Sequence, residues 1–170
     1  LYLPVPYAPV GWQAEGLWDF DPASLTVLNV DPGTGPQHLQ DLRYTVASRA
    51  VEPSVQQVAD AVAGTPPEGV LALEVPADVP AQITDLARQI TADARTDGRK
   101  AIALQDWLRD PERFRYNLAA PSGTGYEVLV SFLTDERSGY CVHFAASMAL
   151  MSRVVGIPSR VAVGFTLSLI

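Results

Sequence analysis

The chain has 170 residues, of which 48% are hydrophobic and 18% charged, a balance typical of folded globular proteins. Its 12 Lys and Arg residues against 19 Asp and Glu residues give a net charge of -7, which disfavours nucleic acid and anionic lipid surfaces as partners. No apolar stretch reaches the roughly 20 residues that cross a bilayer, and no secretory signal is visible. The single cysteine excludes an internal disulfide.

The N-terminal part of the chain predicts a small β-rich module with one helix. Over the first 36 residues, repeated Pro and Gly around the run LTVLNV predict extended chain with turns. In LRYTV, Leu42, Tyr44 and Val46 alternate with polar residues and predict a strand. In PSVQQVADAVAG the apolar residues recur at helical spacing, so we expect Ser54 to cap a helix and Gly64 to end it.

The proline-dense segment TPPEGVLALEVPADVP predicts a connection between two modules, with a short strand at VLALEV. We place the boundary near Pro76, which gives modules of residues 1–76 and 77–170. A helix is expected next, because five apolar residues form one stripe: Ile83, Leu86, Ala87, Ile90 and Ala94.

Two further helices are predicted before the cysteine. Gly98 is expected to separate the preceding helix from KAIALQDWLRD, which stops before Pro111 and contains Trp107 as a packing residue. A polar loop, NLAAPSGTG, then leads to a short helix at EVLVSFL.

The segment SGYCVHFAASMALMSRVVGIPSRVAVGF, residues 138–165, holds Cys141. Four later residues share one helical face: Phe144, Met148, Met151 and Val155. This spacing predicts the cysteine in the first turn of a helix that ends at Gly156 before Pro158, followed by a strand at RVAVGF.

A cysteine at a helix N-terminus lies where the macrodipole and unbonded amides favour thiolate over thiol. The same amides can stabilise the oxyanion that forms when a thiolate attacks an amide carbonyl. Spacing alone leaves a second interpretation open, because a lone cysteine on the apolar side of a helix is more often a packing residue.

The other candidate side chains are assigned supporting roles. His143 lies about 200° around the helix from Cys141, so we expect it to pack or hydrogen-bond rather than reach the sulfur. His38, in a Gly- and Pro-rich loop, is given no role. The run Asp135, Glu136 and Arg137 is solvated or steers substrate. Metal-ligand clusters and phosphate-binding loops are missing from the sequence, so no cofactor or metal is expected.

The ordered string Gly139-Tyr140-Cys141, Phe144-Ala145, Arg153, Gly156-Ile157-Pro158-Ser159-Arg160-Val161 and Gly164-Phe165 resembles the nucleophile motif of the transglutaminase-like superfamily. Upstream, VPADVPAQITDLARQIT, KAIALQDWLRD, FRYNL and VLVSFL are similar to bacterial membrane-anchored members of that family. The resemblance covers residues 70–165 and is looser over residues 1–65. Arg153 and Arg160 match family positions, and we expect their guanidinium groups to hold the helix and the following strand together.

The resemblance implies an α+β fold in which a β-rich N-terminal module precedes the helical, Cys-bearing half of a papain-like core. It implies a Cys-His-Asp triad with Cys141 as nucleophile. We expect the chain to stop before the histidine and aspartate, so that it has weak or no turnover alone. The implied reaction is acyl transfer from a protein or peptide amide through a thioester, giving amine transfer or hydrolysis.

Two other functions stay open at this stage. One is a cysteine peptidase of the same fold, and the other is a non-catalytic binding or scaffolding module of the cell envelope. The resemblance implies a location on the extracytoplasmic side of the cell membrane, with the parent protein tethered by helices outside this chain. The oligomeric state does not follow from the sequence.

Overall fold

The structure is a computed structural model and describes residues 1–31, 33, 42–66, 70–123 and 125–164. The described residues form two compact units, one within Leu1–Glu52 and one made of Pro53–Pro66 and Val70–Ala162. His38 and Phe165 lie outside the described residues. Strands concentrate in the first unit and helices in the second, which confirms the predicted α+β class.

The first unit contains two small antiparallel sheets. In one, the strand order is β1 (Tyr2–Leu3), β4 (Thr26–Asn29), β3 (Trp18–Asp21), and in the other β2 (Pro9–Ala14) pairs with β5 (Tyr44–Ser48). The strand predicted at LRYTV is confirmed over its last three residues, because β5 begins at Tyr44 and extends to Ser48. Leu3 and Val27 are buried in this unit.

The second unit begins with α1 (Val55–Ala59), which Ser54 caps as predicted. The Ser54 hydroxyl accepts a hydrogen bond from the Gln57 amide, and the Gln57 side chain accepts one from the Ser54 amide. The prediction that Gly64 ends this helix is wrong, because the helix ends at Ala59. Residues after it bond instead to the start of α3 (Asp97–Arg109), with the Ala63 amide donating to the Asp97 carboxylate.

Gly98 does not separate two helices as predicted but lies in the first turn of α3. A Cβ at Gly98 would overlap the carbonyl oxygen of Val58. The glycine therefore permits a close approach of α1 to α3 rather than breaking a helix. The preceding helix, α2 (Ala81–Ile90), is also shorter than predicted, because Thr91 closes it before Ala94.

The remaining helices agree with the sequence prediction. α3 ends at Arg109, before Pro111, and α4 (Tyr126–Thr134) covers the EVLVSFL segment. The last helix, α5 (Cys141–Val154), packs against α2, α3 and α4. The core of the unit is made of Ile83, Ala87, Leu104, Leu108, Phe114, Leu129, Phe132, Leu133 and Met151.

Two predicted strands are wrong. Within VLALEV and within the described part of RVAVGF, residues 160–164, no residue is in a strand. Alternating side chains make a strand only where another strand bonds to the backbone, and neither segment pairs with a strand in the described ranges.

The division between the two units falls at Glu52 and places α1 with α3. The boundary near Pro76, with modules of residues 1–76 and 77–170, stays a prediction about folding domains. None of the helices in the described part of the chain has the length and apolarity needed to cross a bilayer.

Candidate active site

Cys141 is the first residue of α5, and its side chain is exposed. Tyr140 precedes it as the N-cap, with extended backbone angles of φ -114° and ψ -177°. The predicted position of the thiol, in the first turn of a helix, is confirmed. An exposed thiol at this position can be approached by a carbonyl group from solvent.

The first amides of α5 are available to a ligand. The His143 and Phe144 amides both donate to the Tyr140 carbonyl oxygen, at 2.9 and 3.4 Å. The amides of Cys141 and Val142 have no acceptor among the residues that the structure describes. Two backbone donors therefore lie beside the sulfur, at the positive end of the helix dipole.

A short parallel strand pair holds the chain that leads into the cysteine. Its strands are β6 (Arg115–Tyr116) and β7 (Ser138–Gly139). The Arg115 amide donates to the Arg137 carbonyl and the Asn117 amide to the Gly139 carbonyl, both at 2.8 Å. These bonds fix the backbone from Arg137 to Gly139, which ends two residues before Cys141. The start of α5 is therefore anchored by residues outside the helix.

Packing around position 139 leaves no space for a side chain, so a glycine is required there. A Cβ at this position would lie 2.9 Å from two ring carbons of Phe132 and 3.0 Å from the Cβ of His143. Gly139 is itself buried between these groups. A larger residue would push the strand away from α4 and α5 and move Cys141 with it.

His143 is buried, with 2% of its surface exposed. Its Nδ1 atom accepts a hydrogen bond from the Tyr140 amide at 3.2 Å, and its ring packs edge-on to the Tyr140 ring and against Phe132. The predicted packing and hydrogen-bonding role is confirmed. The ring is turned into the core while the thiol of Cys141 is exposed, so His143 is not placed to deprotonate the sulfur.

The C-terminal end of α5 is held by Arg153 and by the GIPSR segment. Gly156 has φ +85°, and the Ile157 amide donates to the Ser152 carbonyl at 2.9 Å, which closes the helix as predicted. Arg153 Nε donates to the Ser159 carbonyl at 2.9 Å, and its Nη1 donates to the Glu74 carbonyl at 3.4 Å. The predicted hydrogen bonding of Arg153 to backbone is confirmed, although the segment it holds to the helix is not a strand. The role of Arg160 stays a prediction.

Residues 84–169 match the family model of the transglutaminase-like superfamily. The chain belongs to this superfamily. The match covers α3, α4 and the cysteine helix and confirms the family that the motif around Cys141 resembles.

Two curated bacterial relatives share this region. Over 83 residues the chain is 40% identical to a protein-glutamine gamma-glutamyltransferase of Pseudomonas aeruginosa, which covers 49% of the chain and 12% of that protein. Over 97 residues it is 29% identical to the uncharacterized protein YebA of Bacillus subtilis, which covers 55% of the chain and 13% of that protein. The chain thus spans about an eighth of the length of these relatives.

A solved structure is also similar. The crystal structure of the periplasmic domain of TgpA from Pseudomonas aeruginosa bound to ethylmercury is 33% identical to the chain. The similarity covers 51% of the chain and 31% of that domain, with a TM-score of 0.43.

Two further predictions for this transglutaminase-like chain concern the acidic residues before the cysteine and Trp107 in α3. Asp135 and Glu136 are exposed, in agreement with the solvated interpretation, and their role in steering substrate stays a prediction. Trp107 contacts Phe114 edge-on, with ring centroids 4.8 Å apart, and packs against the core as predicted. Across the described ranges, no group of three or more His, Cys, Asp or Glu residues is placed to hold a metal ion.

Asn117 is the site residue that the sequence did not reveal. Its amide and its side chain both bond to β7, through Gly139 and through the Ser138 hydroxyl at 3.2 Å. The side-chain partner lies 21 residues away in the chain, beyond the reach of any local pattern. In the sequence, the segment FRYNL carries only a family resemblance, and only the fold shows that Asn117 bonds to the strand before the cysteine.

Proposed function

We propose that Cys141 is the nucleophile of an acyl-transfer reaction that passes through a thioester. The observation that carries this proposal is the exposed thiol at the first residue of α5, beside the amides of Cys141 and Val142. A helix N-terminus favours the thiolate, which is the reactive form of cysteine. The family membership of the chain supports the same assignment.

The reaction can be written from the atoms at the helix start. The thiolate of Cys141 attacks the carbonyl carbon of a carboxamide, so that an S–C bond forms and the carbonyl oxygen becomes negative. The amides of Cys141 and Val142 are the donors that would bind this oxygen. When the oxyanion collapses, the C–N bond breaks, ammonia or an amine leaves with a proton, and a thioester remains.

A second nucleophile completes the reaction by attacking the thioester. Attack by an amine forms a new amide and regenerates the thiol, whereas attack by water forms a carboxylic acid. The proposed substrate class is a protein or peptide amide, in accord with the name of the Pseudomonas aeruginosa relative, a protein-glutamine gamma-glutamyltransferase. With lysine as the amine the product is a crosslink.

Proton transfer is the step for which this chain offers no placed side chain among the described residues. A cysteine nucleophile needs a base to deprotonate it and an acid to protonate the leaving amine. The sequence has two histidines, and of these His143 is bonded to Tyr140 and turned into the core. We therefore propose weak turnover for the 170 residues alone, with a reactive thiol.

An activated ester tests the nucleophile without requiring a general acid, because p-nitrophenolate is a good leaving group. On incubation with p-nitrophenyl acetate, we expect intact-mass analysis to show one acetyl group per chain, mapped to Cys141. Cys141→Ala is the matched control and should lose this rapid acetylation. A folded chain whose Cys141 stays unmodified would contradict the proposal and favour the packing interpretation.

The amide substrate is tested separately with a glutamine peptide and a labelled primary amine. We expect little or no incorporation by the 170 residues, and turnover that Cys141→Ala abolishes would contradict the expected weakness. In the full-length protein, cysteine-dependent incorporation favours amine transfer. Cleavage of peptide bonds favours the peptidase. If the full-length protein forms neither product, the result favours the binding module.

We also propose that the whole protein presents this region outside the cytoplasmic membrane. The support is the resemblance of residues 70–165 to bacterial membrane-anchored members of the family. A fusion of alkaline phosphatase after residue 170 of the full-length protein should be active in cells, because this enzyme requires the oxidising periplasm. An inactive fusion that is expressed at a normal level would contradict this location.

A further inference from the structure

His143 has an unusual place at the start of α5. It is the third residue of the helix, where Glu or Gln commonly accepts a hydrogen bond from the N-cap amide. Here the acceptor is the Nδ1 atom of the imidazole ring, which receives the Tyr140 amide at 3.2 Å. The group that closes the helix start is therefore one that can gain a proton near neutral pH.

The hydrogen bond defines the state of the ring. An imidazole nitrogen accepts a hydrogen bond only when it carries no proton, so this contact requires Nδ1 to be unprotonated. Protonation of Nδ1 would convert this acceptor into a donor that faces the Tyr140 N–H group. The hydrogen bond that orients the residue just before the cysteine would then be lost.

The ring has little freedom to escape this position. Its centroid lies 4.5 Å from that of Tyr140, at an angle of 86°, and 5.5 Å from that of Phe132 in α4. The Cβ of His143 also closes the space beside Gly139 of β7. A change at His143 is therefore transmitted to both residues that precede Cys141.

We propose that His143 is a positioning residue for Cys141, whose neutral ring holds the N-cap and thereby orients the nucleophile. This inference rests on the proposed function of Cys141, but it concerns a different residue and a different observable. Loss of the hydrogen bond frees the Tyr140 amide and loosens the first turn, so that the thiol no longer keeps its place at the helix dipole.

The groups around the ring bear on its response to pH. Its own helix start contributes the Tyr140 ring, whereas the Cys141 thiol, two residues before His143, is exposed. α4 presents the Phe132 ring and β7 presents Gly139. No ion pair of the described residues involves His143.

Two variants separate the hydrogen-bond acceptor of His143 from its ability to gain a proton. His143→Gln supplies an Oε1 acceptor that does not titrate, and Gln suits this position in a capping box. His143→Leu removes the acceptor and keeps an apolar side chain. The readout is the second-order rate constant for alkylation of Cys141 by iodoacetamide between about pH 5 and pH 8, where histidine titrates. Circular dichroism confirms that each variant is folded.

We expect the His143→Gln chain to react nearly as fast as the wild-type chain at about pH 8, and the His143→Leu chain several-fold more slowly. As the pH falls, the ratio of the wild-type rate to the His143→Gln rate should fall several-fold. The ratio between the two variants should stay constant. The proposal is overturned if the wild-type to His143→Gln ratio does not change with pH, or if His143→Leu reacts as fast as His143→Gln.

A measurement on the wild-type chain covers the case in which a variant does not fold. The ¹⁵N–¹H signal of Tyr140 should move with the same midpoint as the ring signals of His143 when the pH is lowered. A Tyr140 signal that does not follow the ring would overturn the proposal. Because alkylation requires no acyl transfer, a failed acetylation experiment with a preserved pH response would refute only the proposed function.

Discussion

The side-chain amide of Asn117 donates to the hydroxyl of Ser138 at 3.2 Å, and the backbone amide of Asn117 donates to Gly139 at 2.8 Å. The same side chain accepts a hydrogen bond from the Ala119 amide at 2.9 Å. Asn117 thus links the loop after β6 to the strand that ends two residues before the nucleophile. The position of Cys141 depends on this link as well as on its own helix.

Replacing Asn117 by Ala should lower the free energy of unfolding by about 1 kcal/mol, because two side-chain hydrogen bonds at an exposed site are lost. The alkylation rate of Cys141 should also fall, since β7 is less well anchored. Urea unfolding and iodoacetamide kinetics measure the two effects. Leu118→Ala is the matched control, because Leu118 is 79% exposed. Equal rates for the two variants would contradict the anchoring role of Asn117.

Replacing Gly98 by Ala should destabilise the protein by about 2–3 kcal/mol, because the new methyl group would overlap the Val58 carbonyl. In an ordinary helix interior the same change stabilises by about 1 kcal/mol, so the sign of the effect is diagnostic. Gly64→Ala is the control, since a Cβ there meets nothing within 4 Å. Thermal unfolding measures both. A Gly98→Ala chain as stable as the wild type would show that α1 and α3 do not pack this closely.

Asp97 should make the stability depend on pH. The hydrogen bond from the Ala63 amide, and then that from Lys100, lower the pKa of this carboxyl from its ordinary value of 3.8. The folded state therefore binds the proton less readily than the unfolded state. The stabilisation is fully present above pH 3.8 and is lost as the pH falls through the lower folded-state value.

This dependence is measured by urea unfolding of the wild-type and Asp97→Asn chains from neutral pH downwards. The wild-type chain should be more stable at neutral pH, and the difference should shrink in acid. The same measurement on the Asp93→Asn chain is the control for removal of an exposed carboxylate. A difference between wild type and Asp97→Asn that is the same at every pH would rule out the hydrogen bond from Ala63 as a stabilising contact.

Arg153→Lys keeps the charge but loses the planar group that reaches the carbonyls of Ser159 and Glu74. We expect a loss of about 1–2 kcal/mol in the free energy of unfolding. Exposed Arg95→Lys is the control and should change the stability little. If both variants unfold at the same urea concentration as the wild type, Arg153 does not hold the GIPSR segment to α5.

Local sequence signals predicted the ends of several elements. Ser54 caps α1, Pro111 follows the end of α3, and Gly156 closes α5, because each of these residues acts on its own few neighbours. The place of Cys141 at a helix start followed from the same kind of local pattern. These features are decided by backbone chemistry within one or two turns.

The wrong predictions concern residues whose conformation is decided by distant partners. Gly98 looks like a helix breaker in the sequence but accommodates the Val58 carbonyl, which is 40 residues earlier in the numbering. VLALEV has the composition of a strand, yet the Ala72 carbonyl bonds to the Ser159 amide, outside any sheet. The bond between Asn117 and Ser138 belongs to the same class. Such contacts leave no local pattern to detect.

The proposed function depends most directly on the exposed thiol of Cys141 at the first residue of α5. The exposure of this thiol is tested directly by alkylation with iodoacetamide at about pH 7. The reaction is followed by intact mass in the folded chain and in the same chain unfolded in urea. We expect a single adduct that forms readily in the folded chain and is absent from the Cys141→Ala chain. A folded chain that resists alkylation while the unfolded chain reacts would contradict the exposure of this thiol.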